Sequence, residues 1–231
     1  MPENIRIISA RVSLRFKTDQ VELDRLHLPD VMGTITQRFQ FEKGVNPIAV
    51  DGARGIASPN LTFANGVYDD GEKSVVVREI GFSATSISIH VVGESECLMQ
   101  VYRELRGLFS EEQSPIHGEY IKKFDHSEIS AKLAFPYKDV VPPWLRGAVQ
   151  SATNQGDNLV ATLTMTLLRP DERYPGDGFP VSTRQWVLSP RVDSEVDDRV
   201  FYSAAPLTTD EHLAYLARIE ETFLLSGSKK E

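Results

Sequence analysis

The chain has one cysteine in 231 residues, Cys97, so no disulfide can form within it. Cys97 stands in an apolar-rich stretch of helical pattern with acidic neighbours, which reads as an inert buried thiol. No run approaches the ~20 consecutive apolar residues that cross a bilayer, and Met1-Pro2-Glu3-Asn4 lacks the basic and apolar regions of a secretory leader. These absences lead to the expectation of a cytoplasmic protein with no membrane partner. Positive charge is also scarce. The formal net charge is −8, and the densest basic spots, Arg103 with Arg106, Lys122-Lys123 and Lys229-Lys230, are small. Phosphate affinity comes from clustered Lys and Arg, so a general duplex-binding surface is disfavoured.

Motifs that would name a chemistry are missing as well. Gly52-Ala53-Arg54-Gly55 is glycine-rich but lacks the P-loop pattern, and there is neither a dinucleotide fingerprint nor a nucleophile elbow. His117 and His126, with Asp125, are spaced unlike any common ligand pair, and His212 is followed four residues on by Leu216 where a helical zinc pair needs a second ligand. The acidic patch Asp193, Glu195, Asp197 and Asp198 lacks the glycine and final glutamate of a calcium loop. It reads as a charged hairpin tip that guards an edge strand. The expectation is a protein with no metal and no cofactor.

What is present is a pattern in two halves. Ile8-Ser9-Ala10-Arg11-Val12 returns with conservative changes as Ile129-Ser130-Ala131-Lys132-Leu133. Each half closes with a strand-like run, Ser86–Val92 or Arg199–Ser203, and then a helical pattern ending at Phe109 or Phe223. This predicts an α+β fold, mostly antiparallel sheet in two similar halves, each ending in an amphipathic helix packed on the sheet. The halves span residues 1–110 and 127–226, with a linker over 111–126 and a frayed tail over 227–231. Alternation predicts strands over residues 5–17, with a bulge near Ser9, and over Gly33–Lys43, Thr85–Val92 and Leu159–Leu168. Asp69-Asp70-Gly71-Glu72 has turn chemistry and predicts a hairpin between Leu61–Val67 and Ser74–Ile80. Leu98, Val101, Tyr102, Leu105, Leu108 and Phe109 follow helical spacing behind Ser95 as N-cap. Pro142-Pro143-Trp144-Leu145 can start a short helix, and Thr208-Thr209-Asp210-Glu211 is a capping box for the last one.

Two groups of residues are candidates for function. His90 lies on the polar side of a strand and could act as a base with Asp69, Asp70 or Glu94 as partners; an ordinary sheet-face histidine is the commoner meaning of the pattern. The loop Arg169–Pro180 has charges of both signs and two aromatics, so Arg173, Tyr174 and Phe179 are the expected partner-binding residues. The leading expectation is a non-enzymatic binding or assembly protein that recognises a macromolecular partner through loops and sheet surface, with a protein partner or self-association favoured. The alternatives are an enzyme with a scattered active site, a hydrolase or nuclease, and a single-stranded nucleic-acid binder. The last rests on Phe39 and Phe41 beside Arg38 and is the least favoured, because core packing explains both rings more simply.

Overall fold

Strand β1 (Glu3–Arg15) contributes to both of the units into which the chain divides: one unit is Ser9–Asp125, the other Met1–Ile8 with His126–Glu231. The structure is a computed structural model and describes residues 1–45, 48–50, 57–59, 61–110, 112–136, 140, 163–166, 185–191 and 198–227. The fold is α+β, and its strand pairings are antiparallel. Among the described residues no helix is long and apolar enough to cross a membrane.

In the unit Ser9–Asp125, β1 is followed by the short helix α1 (Leu23–Leu26), α2 (Pro29–Arg38), β2 (Lys43–Val45), β3 (Ile48–Val50), β4 (Ala57–Pro59), β5 (Leu61–Asp69), β6 (Ser74–Ser83), β7 (Ser86–Val91) and α3 (Ser95–Gly107). The sheet runs β2-β5-β6-β7-β1, while β3 and β4 form a separate two-stranded ribbon. The predicted β5–β6 hairpin forms because its turn caps itself. Asp69 Oδ1 accepts the Gly71 amide at 2.7 Å, and Asp70 Oδ1 accepts those of Glu72 and Lys73 at 2.9 and 2.7 Å. Gly71 takes a φ of 89°, open to a residue without a Cβ. Alternation then puts Val12, Leu14, Leu61, Phe63, Ile80, Phe82, Ile87 and Ile89 on one face, all buried. Helix α3 covers that core with Cys97, Leu98, Val101, Tyr102 and Leu105.

Two local expectations are corrected. Residues 33–43 are not a strand: Gly33–Arg38 belongs to α2, and only Lys43 enters β2. Ile35 and Phe39 are four residues apart, a spacing that fits both alternation and a helix, and Pro29 at the first helical position decides for the helix. Ser95 is not the N-cap of α3. Glu94 is, in extended conformation and without a side-chain cap bond. Strand β6 carries an irregularity, where its register on β7 shifts between Val77 and Glu79; β1 continues through Ser9, where Ser9 and Ala10 are both buried, and pairs with β7 from Ala10 onward. In residues 112–125, Ser114 and Ile116 are buried, Ile116 bridges Val21, and Arg25 donates to the Glu112 carbonyl at 3.0 Å.

The other unit has the sheet order β8-β11-β10-β9, from β8 (Lys122–Lys132), β9 (Leu163–Thr166), β10 (Gln185–Pro190) and β11 (Val200–Ala205), followed by helix α4 (Thr209–Gly227). Ile129, Ala131, Leu133, Phe135, Trp186, Leu188, Phe201 and Leu216 build its core, and Phe135 stacks on Phe223 with centroids 4.3 Å apart. The capping box forms as its sequence requires. The Thr208 amide donates to Glu211 Oε2 at 3.0 Å, and the Glu211 amide donates to Thr208 Oγ1 at 3.4 Å. The helix expected at Pro142–Leu145, most of the acidic hairpin and the ends of the strand expected at Leu159–Leu168 lie outside the described residues.

Candidate functional site

The face of the first sheet opposite its core is polar and built from short side chains. Register places Arg11, His90, Glu79 and Ala64 in one row across β1, β7, β6 and β5, with Ser13, Ser88, Gly81 and Thr62 in the next row. Arg15, Ser86 and Ser83 make a third. Arg11 is exposed, Ser13 is buried, and the remaining residues of the three rows are half-buried. At Gly81 a Cβ would stand 2.7 Å from Ser88 Oγ, so the floor of this face is already filled to the level of a hydroxyl. His90 Nδ1 lies 3.2 Å from Arg11 Nη2. A guanidinium can only donate, so Nδ1 accepts and the neutral ring carries its proton on Nε2.

Two of the carboxylates proposed as partners of His90, Asp69 and Asp70, stand at the far end of the hairpin. Asp69 and Asp70 are engaged by the turn amides, and those two amide bonds hold the Asp70 carboxyl below its ordinary range. Asp69 pairs with Ser74 and His90 with Glu79, a separation along β6 of roughly 15 Å at the usual strand rise. Glu94 is exposed at the start of α3. A general base works within hydrogen-bond reach or through one water, and the register keeps Asp69 and Asp70 beyond that distance from His90. The structure does gather cations and anions around the hairpin end. Arg38 pairs with Glu104 at 2.5 Å, donates to the Asp69 carbonyl at 2.9 Å and lies 4.8 Å from the centroid of Tyr68. Lys73 is raised above its ordinary value, first by a hydrogen bond with the buried thiol of Cys97. Phe39 and Phe41 are in the core, against Tyr68 and Phe63 respectively, so neither presents a ring for base stacking.

The most complete side-chain network was not legible in the sequence. His212 on α4 is fully buried between two serines, with Ser127 Oγ 2.8 Å from Nδ1 and Ser203 Oγ 2.8 Å from Nε2. Ser203 Oγ donates its one hydrogen to the Val187 carbonyl at 3.1 Å, so it must accept from Nε2–H, and Ser127 Oγ donates to Nδ1. A neutral ring protonated on Nε2 satisfies this network. Burial drives the His212 pKa down to about 4, His126 adds to the shift, and the Ser127 backbone opposes it. Serine beside histidine suggests nucleophilic chemistry, but Ser127 and Ser203 have essentially no solvent access, and a nucleophile must meet its substrate.

His117 Nε2 contacts Glu22 Oε1 at 2.9 Å, and Asp125 Oδ1 takes the Lys123 ammonium at 2.8 Å. Among the described residues no three His, Cys, Asp or Glu side chains gather as metal ligands would. Arg173, Tyr174 and Phe179 lie outside the described residues. No model of a known protein family matches the chain, and no curated protein resembles it significantly.

Proposed function

We propose that the protein is a non-enzymatic binding or assembly protein whose partner, another protein, docks on the hydroxyl-rich face of the sheet β5-β6-β7-β1. The observation that carries this reading is the three-row face of Ser, Thr, Gly and Ala that also holds Arg11, Arg15, His90 and Glu79. Short side chains let a partner approach the sheet closely, and fixed hydroxyls and guanidiniums supply directional hydrogen bonds. The loop residues Arg173, Tyr174 and Phe179 remain part of the proposal as recognition groups, on the strength of residue type alone. The two units share a plan, which favours an origin by duplication. In each, the strand carrying the repeated string (β1 or β8) lies beside the strand that precedes the helix (β7 or β11). Two further antiparallel strands follow in order.

A photoreactive residue placed at Ser88, with Glu72 on the hairpin turn as control, tests the docking face in cells. One reproducible cross-linked protein from Ser88, lost when Arg11 and Arg15 are both changed to Glu, is the expected result. Cross-linking no greater from Ser88 than from Glu72 overturns it. Turnover of an ester or phosphodiester that disappears in His90→Ala would replace the binding reading with the enzymatic one.

A further inference from the structure

Strands β5 and β6 each carry one residue more than strict alternation allows, and at the same level. On β6 the buried positions are Val75, Val77, Ile80 and Phe82; on β5 they are Leu61, Phe63, Gly66 and Tyr68. Two consecutive residues therefore stand between inward positions on both strands, Arg78 with Glu79 and Ala64 with Asn65. The register agrees. Ala64 pairs with Glu79 and Gly66 with Val77, while the pairing of β6 on β7 shifts between Val77 and Glu79. Asn65 absorbs the extra residue with a φ of 57°, a conformation that asparagine tolerates better than most side chains. A bulge re-aims side chains. This one adds Arg78 and Asn65, both exposed, to the row that already holds Arg11, His90 and Glu79.

Neither Arg11 nor Arg78 has a carboxylate partner among the described residues. Arg11 reaches over β7 to His90 at 3.2 Å, which brings its guanidinium to within one strand, about 4.8 Å, of β6 and Arg78. The next row toward the hairpin turn is apolar. The Val92 amide donates to the Val76 carbonyl at 2.9 Å, Val76 pairs with Val67, and Val76 and Val92 are 48% and 39% exposed. Adjacent exposed valines beside two arginines offer both parts of a small interface, an apolar contact and a charged one. Beyond the valines stand Asp69 and Ser74. A partner's carboxylate is attracted on the arginine side of the valines and repelled on the Asp69 side. Glu79 and Asp69 also disfavour a continuous run of negative charge such as a phosphate backbone.

We infer that the segment docking on this face is an extended acidic one. An Asp or Glu side chain is held by Arg11 and Arg78, and an apolar side chain two residues away sits on Val76 and Val92. This rests on the docking reading above and adds the chemistry of the partner. The two rows lie two residues apart on β7, about 6.7 Å, and an extended segment repeats on one face at the same interval.

The test uses the full chain and fluorescence anisotropy. The probe is a short labelled peptide repeating Val-Ser-Glu-Ser, which when extended puts Val and Glu on one face at the required interval. It should bind at least about tenfold more tightly than repeats of Val-Ser-Lys-Ser or of Ser-Ser-Glu-Ser. Arg11→Gln with Arg78→Gln should weaken it at least about tenfold, as should Val76→Ser with Val92→Ser, with circular dichroism unchanged. Arg103→Gln, at an exposed position of α3, should leave it within about twofold. Equal binding of the lysine repeat overturns the inference, as does unaltered affinity in the double arginine variant. Tighter binding of a single-stranded oligonucleotide overturns it too, by naming another class of partner. The cross-link from Ser88 separates this inference from the reading beneath it. If the cross-link forms and the acidic probe does not bind, the face docks a partner and the inference about its charge falls. If the cross-link is absent, the docking reading itself falls, and this inference with it.

Discussion

Helices α3 and α4 both lie on a sheet, yet they bury different things. The buried stripe of α3 is Cys97, Leu98, Val101, Tyr102 and Leu105, whose packing is dominated by apolar surface. The buried stripe of α4 includes Thr209, His212, Leu216 and Glu220, at spacings equally helical but with three polar residues in four. Each polar group needs a partner fixed elsewhere in the chain. His212 has two serines, and Glu220 accepts the Ala134 amide at 2.7 Å and pairs with the Met1 ammonium at 2.7 Å. An apolar stripe tolerates small slips, because the hydrophobic effect has no direction. A polar stripe specifies one arrangement and costs 1–3 kcal/mol for each group left unmatched. The difference is between a helix held by area and a helix held by pairing.

The sharpest break of that comparison is a cavity in the apolar unit. Phe82 is 2% exposed and meets Phe63 edge-on at 6.0 Å. Phe82→Ala should cost about 3–5 kcal/mol, read by far-ultraviolet circular dichroism in denaturant, with no change in pH dependence.

The polar unit should instead be sensitive to acid. The His212 pKa falls from an ordinary 6.5 to about 4 on folding. The unfolded chain therefore binds a proton that the folded chain refuses. The stabilisation is complete above pH 6.5 and is lost as the pH drops through about 4, and its size is on the order of 3 kcal/mol. Both tryptophans, Trp144 and Trp186, belong to this unit, so tryptophan fluorescence follows it selectively. The denaturation midpoint by fluorescence should fall between pH 6.5 and 4 in the unaltered protein. In His212→Gln it should start lower, and the share of the slope due to this residue should vanish. An unchanged slope in His212→Gln would assign the acid sensitivity to other groups.

The smallest effect belongs to the capping box. Thr208→Ala removes the bonds to Glu211 and should cost about 1 kcal/mol in the same fluorescence assay, at any pH above the histidine range.

These contrasts also explain what could be read in advance. Helix α3 was legible because its stripe is apolar at helical spacing, and the β5–β6 hairpin because Asp69-Asp70-Gly71 carries its own turn chemistry. Both are local signals. Helix α2 was mistaken for a strand because Ile35, Phe39 and Phe41 satisfy alternation, and the proline that settles the matter stands six residues earlier. Gly66 shows a signal that only three dimensions explain. A Cβ there would stand 2.5 Å from the Phe39 carbonyl and closer still to the Phe41 ring, because the chain after α2 crosses β5 at that point. His212 was visible as a helical histidine, but its partners stand 85 and 9 residues away, and nothing in the spacing joins them. The outer face of the first sheet was legible only strand by strand. Alternation gave the polar side of β7, but the row Arg11–His90–Glu79 needs the register of three strands.

The division of strand β1 has a consequence for synthesis. Residues Met1–Ile8 are made before Ser9–Asp125, yet they group with His126–Glu231, which is made after it. The unit Ser9–Asp125 is complete in sequence once Asp125 has left the ribosome, and domains generally fold as they emerge. The leading segment must then wait as an unpaired strand while more than a hundred further residues are translated. Three of those leading residues, Glu3, Asn4 and Arg6, are charged or amide-bearing, a composition suited to a strand that spends its first seconds in water without a neighbour.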